Sequence, residues 1–322
     1  MITRRSLAAF AAGSLLLPAS LRAQEAATAM PAAGERPWAK QVPQIRLGLL
    51  GGENEADRLG RYGDYAKLIE STFKVPARLY PAADYAGVMQ AFAAKQIEAS
   101  SMGASGYAGT WLDTDGGVEP LVVPREQDGS IAYVSVLIVR RDSGITSLDQ
   151  MRGKSLAWAD PNSTSGYLIP RSELRGAGID INNYFSRTGF AGGHEQAVVA
   201  VQQGQYDGAV TWASGQGDEA EGYSRGNLRS MVEKGMLKMS DMRIIWKSRP
   251  IPNGPLVVRS DLPAAFKANF KQFHLALPTA HPAIYEQIEK GGGKGYAEVT
   301  HEMFDPIVQL RREEAAERRR RS

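Results

Sequence analysis

Hydrophobic and polar positions along the chain switch repeatedly between two periods. Residues 45–50, Ile-Arg-Leu-Gly-Leu-Leu, read as a buried strand ended by Gly51-Gly52. Tyr65, Leu68, Ile69 and Phe73 then recur at helical spacing, and Val75, Ala77 and Leu79 alternate as a strand does. Asp84 can cap a second helix carrying Val88, Ala91 and Phe92. Residues 133–139 form a β-branched run, the clearest central strand, and residues 154–159 give another, which Asp160-Pro161-Asn162 turns into a helix start at Ser163. Gly192-Gly193-His194 precedes an Ala/Val helix at 195–203, followed by a strand at 206–212. Strands at 242–247 and 256–259 flank Pro250, Pro252 and Pro255, and Phe266, Phe270 and Phe273 mark one face of a later helix. Strand and helix alternating from the start predict an α/β layered fold.

The alternation restarts near residue 140 and returns near 250. We therefore expect one lobe from 44–139 plus 250–310 and a second from 140–249, with a cleft between them. Ligands of open α/β sheets gather at the carboxyl ends of strands, where helix N-termini also point, so the loops after those strands are where chemistry is expected.

Composition changes this picture mostly at the ends. Residues 1–23 have Arg4 and Arg5, an apolar run from 7 to 17, then a small-residue exit at Leu21-Arg22-Ala23, the pattern of an export signal of twin-arginine type. The run is too short to span a bilayer, which needs about 20 residues. Residues 24–43 read as a flexible leader, and 311–322, with six arginines and three glutamates, as a solvated, fraying helix end. With 1–23 and 311–322 set aside, the body carries a net charge of about −3, which gives no electrostatic case for nucleic acid. The chain has no cysteine, which excludes disulfides, thiolate metal sites, a cysteine nucleophile and a lipidated N-terminal cysteine. Export to a bacterial periplasm without a lipid anchor is the expected destination.

The richest stretch chemically is residues 160–167, Asp-Pro-Asn-Ser-Thr-Ser-Gly-Tyr, after a strand and at a helix start. Such a start has unpaired N–H groups and about half a positive charge. Ser163, Thr164 and Ser165 add hydroxyl donors, and Gly166 would let a ligand approach the backbone. Together they suit a tetrahedral oxyanion, whereas one hydroxyl suffices for an ordinary cap. Pro170 should kink the helix after its first turns. His194, at another helix start, can donate from a neutral imidazole, although a lone histidine there is more often a cap. Tyr85 and Tyr133 lie at element boundaries; taken by themselves they read as core or rim aromatics.

These residues resemble the PhnD-type phosphonate-binding proteins. The likeness is carried by Asp84-Tyr85-Ala86-Gly87, Gly129-Ser130, the 133–139 run, the 160–166 turn, Gly193-His194-Glu195, and Trp246-Lys247-Ser248 through Ile251-Pro252. It runs from about residue 45 to 310. The resemblance implies a two-lobed periplasmic-binding-protein fold of type II, each lobe a mixed sheet flanked by helices. It also implies an ATP-driven (ABC) importer with a membrane permease as partner. Ser163, Thr164 and Ser165 would then bind the phosphonyl oxygens, with His194, Tyr85 and Tyr133 completing the pocket. Two departures stand out. Members that take aminoalkyl phosphonates place acids around the amine, at positions that fall near Ser214 and Gly254 here, and neither is acidic. A buried ammonium without a carboxylate is costly, so a ligand lacking an amine at that end is expected. Ser101-Met102-Gly103 replaces a bulkier aromatic pair, so the pocket is expected to be wider there or filled from elsewhere.

Enzyme signatures fail on inspection. Gly103-Ala104-Ser105-Gly106-Tyr107 has Tyr107 where a nucleophile elbow needs glycine. His301-Glu302-Met303-Phe304-Asp305 has Asp305 where a zinc helix needs histidine. The expectation is a monomeric binding protein, not an enzyme, with no cofactor and no metal. Rival readings are a same-fold receptor for another oxyanion or organic ligand, an extracytoplasmic sensor and, less favoured, a phosphoester or phosphonate hydrolase.

Overall fold

The computed structural model describes residues 36–291 and 293–321. The expected export signal and most of the expected leader lie outside the described residues. The leader's end does not behave as one. Trp38 is buried against Phe73 and Phe266, with its indole N–H donating to Asn269 Oδ1 at 2.8 Å. An indole of that size buries too much apolar surface to stay loose, so the fold starts before residue 44.

The first sheet is built from β1 (Ile45–Leu49), β2 (Ala77–Pro81), β3 (Ala99–Ser101) and β4 (Val118–Pro124), joined by two later strands, Leu256–Arg259 and Tyr296–Glu298. β1 pairs in parallel with β2 and β3, while the two late strands run antiparallel to their neighbours. Three helices connect the early strands: α1 (Glu55–Phe73), α2 (Tyr85–Ala93) and α3 (Ala104–Asp113). Asp84 caps α2 as expected, its carboxylate accepting from the Gly87 amide at 2.8 Å. Phe266, Phe270 and Phe273, all fully buried, point from Ala264–Ala280 into the core beneath this sheet.

The second sheet centres on Ala132–Arg140, which pairs antiparallel with Gly208–Ala213, Met242–Lys247 and Ile251–Pro252; Ser155–Trp158 and Arg187–Phe190 extend it in parallel. This moves the expected boundary: residues 132–139 belong to the second sheet, not the first. The apolar run that made 133–139 conspicuous reflects burial between strands of that sheet, which periodicity alone cannot allot to a lobe. The chain thus crosses between sheets at 125–131 and again at 253–255. The crossings are tied together by Glu126, which accepts from Asn253 Nδ2 at 2.9 Å and is paired with Arg225.

The C-terminal segment is likewise not a fraying end. Asp305–Arg321 is one helix packed on α3, and Glu317 is held by Arg171 at 2.9 Å and Arg175 at 2.5 Å. Glu314 is buried, and Arg311 reaches across to Asn162 Oδ1 at 2.9 Å. Those pairings fix Arg311 and Glu317 against the second lobe, while Arg312, Glu313, Arg319 and Arg320 stay exposed. Among the described residues, no helix is long and apolar enough to cross a membrane, and no cluster of acids and histidines could hold a metal ion.

Candidate functional site

Strand Ser155–Trp158 delivers the chain to Asp160, and the turn that follows is organised by its own hydrogen bonds. The Asp160 carboxylate accepts from Asn162 N at 2.7 Å, and its carbonyl accepts from Ser163 N at 3.0 Å. Ser163 is the N-cap, yet the first turn, Thr164–Leu168, is π-helical and becomes α-helical only at Ile169–Gly176. Pro170 explains the change. It brings no N–H to the carbonyl of Gly166, and that carbonyl instead accepts from Ala159 N at 3.0 Å, which ties the strand end to the turn.

Ser163 Oγ sits in a buried polar network. Asn227 Nδ2 donates to Thr211 Oγ1 at 3.0 Å, and that oxygen lies 3.3 Å from His194 Nδ1. His194 Nε2 lies 3.0 Å from Ser163 Oγ, and the Gly166 amide donates to the same oxygen, also at 3.0 Å. In the tautomer protonated at Nε2, His194 donates to Ser163 Oγ and leaves the serine proton for the cavity. Burial, helped by the charge of Lys290, holds the His194 pKa at about 3, so the ring is neutral at physiological pH. Burial also raises the phenols of Tyr85 and Tyr133, which keeps both as protonated donors.

Ser163, Thr164, Ser165, His194, Tyr85 and Tyr133 line one cavity between the two sheets, of about 230 Å³. Gly166 stands behind it. A Cβ there would lie 2.9 Å from His194 Cε1 and 2.4 Å from Ala159 Cβ. The glycine therefore makes room for the histidine, not for a ligand, and its amide is spent on Ser163. Thr164 also serves the first lobe, where its Oγ1 accepts from Ser105 N, at the start of α3, at 2.8 Å. One turn of the second lobe thereby caps a helix of the first. Backbones meet directly beside it, since a Cβ on Gly193 would sit 2.3 Å from Gly52 Cα.

Several cavity residues escaped the sequence reading. Arg58, Arg61, Tyr62 and Tyr65 share one face of α1 at i, i+3, i+4 and i+7 spacing and line the cavity. Of these, only Tyr65 entered the sequence pattern, and there as a core position. Glu53 bonds Arg61 at 2.8 Å and is paired with Lys290; burial would raise its carboxyl, but those two cations outweigh it and hold the pKa at about 2. The missed signal was a second, polar stripe on the same helix. Gly254 lines the cavity, and a Cβ there would fall 2.3 Å from the Met102 carbonyl oxygen, so no acidic side chain fits. Ser214 is bonded to Ser224 Oγ at 2.9 Å. The near-zinc motif is structural: His301 stacks on Trp111 at 4.3 Å and meets the Tyr107 hydroxyl at 2.7 Å.

Residues 47–304 match the family model described as the periplasmic substrate-binding protein of a phosphonate ABC transporter. The phosphate-import protein PhnD of Mycolicibacterium smegmatis is 27% identical over 215 residues, 63% of this chain and 62% of that protein. The phosphonates-binding periplasmic protein of Escherichia coli is 27% identical over 240 residues, 73% of this chain and 67% of its own. The chain thus spans somewhat under two thirds of the mycobacterial relative's length. Among solved structures, PhnD1 of Prochlorococcus marinus in complex with methylphosphonate superposes with a TM-score of 0.70 at 18% identity, covering 84% of this chain and 98% of that one. A binding protein component of an ABC phosphonate transporter from Pseudomonas aeruginosa gives 0.71 at 24% identity over 83% and 85%.

Proposed function

The chain belongs to the periplasmic substrate-binding proteins of phosphonate ABC transporters, and from that membership we propose that it captures a phosphonate or a related phosphorus oxyanion, without catalysis, and delivers it to a membrane permease. The observation that carries this reading is the hydroxyl-rich turn itself: Ser163, whose Oγ accepts from the Gly166 amide and meets His194 Nε2, lines one cavity with Thr164, Ser165, His194, Tyr85 and Tyr133. In the proposed complex the hydroxyls of Ser163, Thr164, Ser165, Tyr85 and Tyr133 donate to the oxyanion, with His194 hydrogen-bonded to Ser163 behind them. The amides of Thr164 and Ser165 add to them, being two of the four that a helix start leaves without intrahelical partners.

Ligand binding energy would then favour the arrangement in which the turn meets α3, and a permease could distinguish that arrangement from an open one. We further propose that the protein acts as an exported monomer, its Arg4-Arg5 segment serving as a twin-arginine signal. Calorimetric titration with methylphosphonate, phosphite, inorganic phosphate and methanesulfonate tests the reading. Saturable binding of at least one phosphorus oxyanion, tighter than methanesulfonate, is expected. Binding of methanesulfonate alone, or of none, would overturn it.

A further inference from the structure

The cavity extends past the turn into the first lobe, where Arg58, Arg61 and Tyr62 of α1 line it together with Glu53 and Lys290. Lys290 is close enough to depress the His194 pKa, so this chamber lies within electrostatic reach of the hydroxyl turn. By the measure in which one water needs about 10–15 Å³, the 230 Å³ of the cavity leaves room for a second ligand group beside a phosphonyl head.

Three cations meet there over one carboxylate. Glu53 bonds Arg61 Nη1 at 2.8 Å and is also paired with Lys290. Arg58, only 4% exposed, has no acid partner among the described residues; its Nη1 gives to the carbonyls of Leu49, Leu50 and Ala82 at 3.1, 2.6 and 3.0 Å. The other acids nearby are committed elsewhere. Glu289 accepts from the Tyr296 hydroxyl at 2.6 Å and from Arg225 at 3.4 Å, and Asp57, whose charge reaches Arg61, is paired with Lys234 at 3.0 Å. Burial, and after it the charge of Arg61, pull the Lys290 ammonium below its usual range against the lift from Glu53.

Two guanidinium N–H groups are left over. Arg58 Nε and Arg61 Nε are buried without a hydrogen-bond partner among the described residues. Such donors are rare in folded proteins, and each costs its desolvation unless something binds it. An ammonium on the ligand would add a fourth cation, and an alkyl group would leave both donors unmet. A carboxylate offers acceptor oxygens to both and offsets the surplus positive charge.

We infer that the chamber is a second anion subsite, in which Arg58, Arg61 and Lys290 hold a carboxylate carried by the same phosphorus oxyanion that the turn binds. The inference rests on the phosphonate reading of the turn.

Calorimetry on the full chain compares phosphonoacetate and 3-phosphonopropionate with their carboxamides, which keep the shape and lose the charge. The better acid should bind at least tenfold tighter than its amide, the low end for a charge-assisted bond. In Arg61→Gln that ratio should shrink several-fold, whatever the variant does to phosphonyl binding itself; the wild-type ratio stands as a test whether or not the variant folds. Acids binding no tighter than their amides, or a ratio unchanged in a folded variant, would overturn the subsite while leaving the phosphonate reading intact. No binding by any of the four, nor by methylphosphonate, would overturn the phosphonate reading itself, and the subsite with it.

Discussion

At the scale of single residues, burial sets which groups around the site stay uncharged at neutral pH. His194 stays neutral because burial and Lys290 oppose its charging. His274, buried with its Nε2 2.5 Å from the Tyr65 hydroxyl, is held at about 4 by burial, against the raising effect of its bond to the Phe270 carbonyl. Both values lie below that of an unfolded histidine, so below about pH 6.5 the unfolded chain binds more protons than the native one. Stability should therefore be full at neutral pH and fall as pH drops toward 4, by up to about 3 kcal/mol for each histidine. Urea unfolding at pH 7 and pH 4.5 measures this, and His274→Gln should flatten the slope. The hydroxyl run and His194 were legible as donors because their residue types at a helix start leave few other uses. The role of Gly166 was not, since its crowding comes from Ala159 and His194, and the histidine is remote in sequence.

Among the elements, the turn after Ser155–Trp158 matters most. Its π-helical opening depends on Pro170 leaving the Gly166 carbonyl to Ala159. Pro170→Ala would supply a competing N–H. The fold should survive, while methylphosphonate affinity falls by about three- to tenfold, the worth of one hydrogen bond, as read by calorimetry. A proline inside a helix pattern signals a break, and the sequence supports that much, but not which carbonyl is released or who takes it. The Asp305–Arg321 helix shows the opposite limit. Its charge run reads as solvated, yet Arg311 passes over Gly109, where a Cβ would meet its guanidinium at 2.7 Å, to reach Asn162 beside Ser163. Pairing with residues some 150 positions away cannot be read from local charge. Arg311→Ala should loosen the turn and raise the ligand off-rate several-fold, which surface plasmon resonance would resolve.

For the molecule as a whole, the two mixed sheets and the cleft between them follow from alternating strand and helix patterns. The crossing points do not, because 132–139 is equally apolar for either sheet and only its antiparallel partners, Gly208–Ala213 and Met242–Lys247, decide. The crossings are held by a buried cluster in which Glu126, fully inaccessible, is shared by Arg225 and Asn253. Removing the arginine strands a buried carboxylate, so Arg225→Met should cost about 3–5 kcal/mol in chemical denaturation. Glu126 together with Arg225 replaced by apolar residues should recover much of that loss.

In the proposed complex Ser163, whose Oγ accepts from the Gly166 amide and meets His194 Nε2, donates to a phosphorus oxyanion held between the lobes. Calorimetry of methylphosphonate binding to the wild-type chain and to Ser163→Ala probes that donor with the least else changed. About ten- to a hundredfold weaker binding by the variant, with its fold intact, is expected from the worth of one charge-assisted hydrogen bond. Equal affinity in a folded variant would show that Ser163 holds no oxyanion.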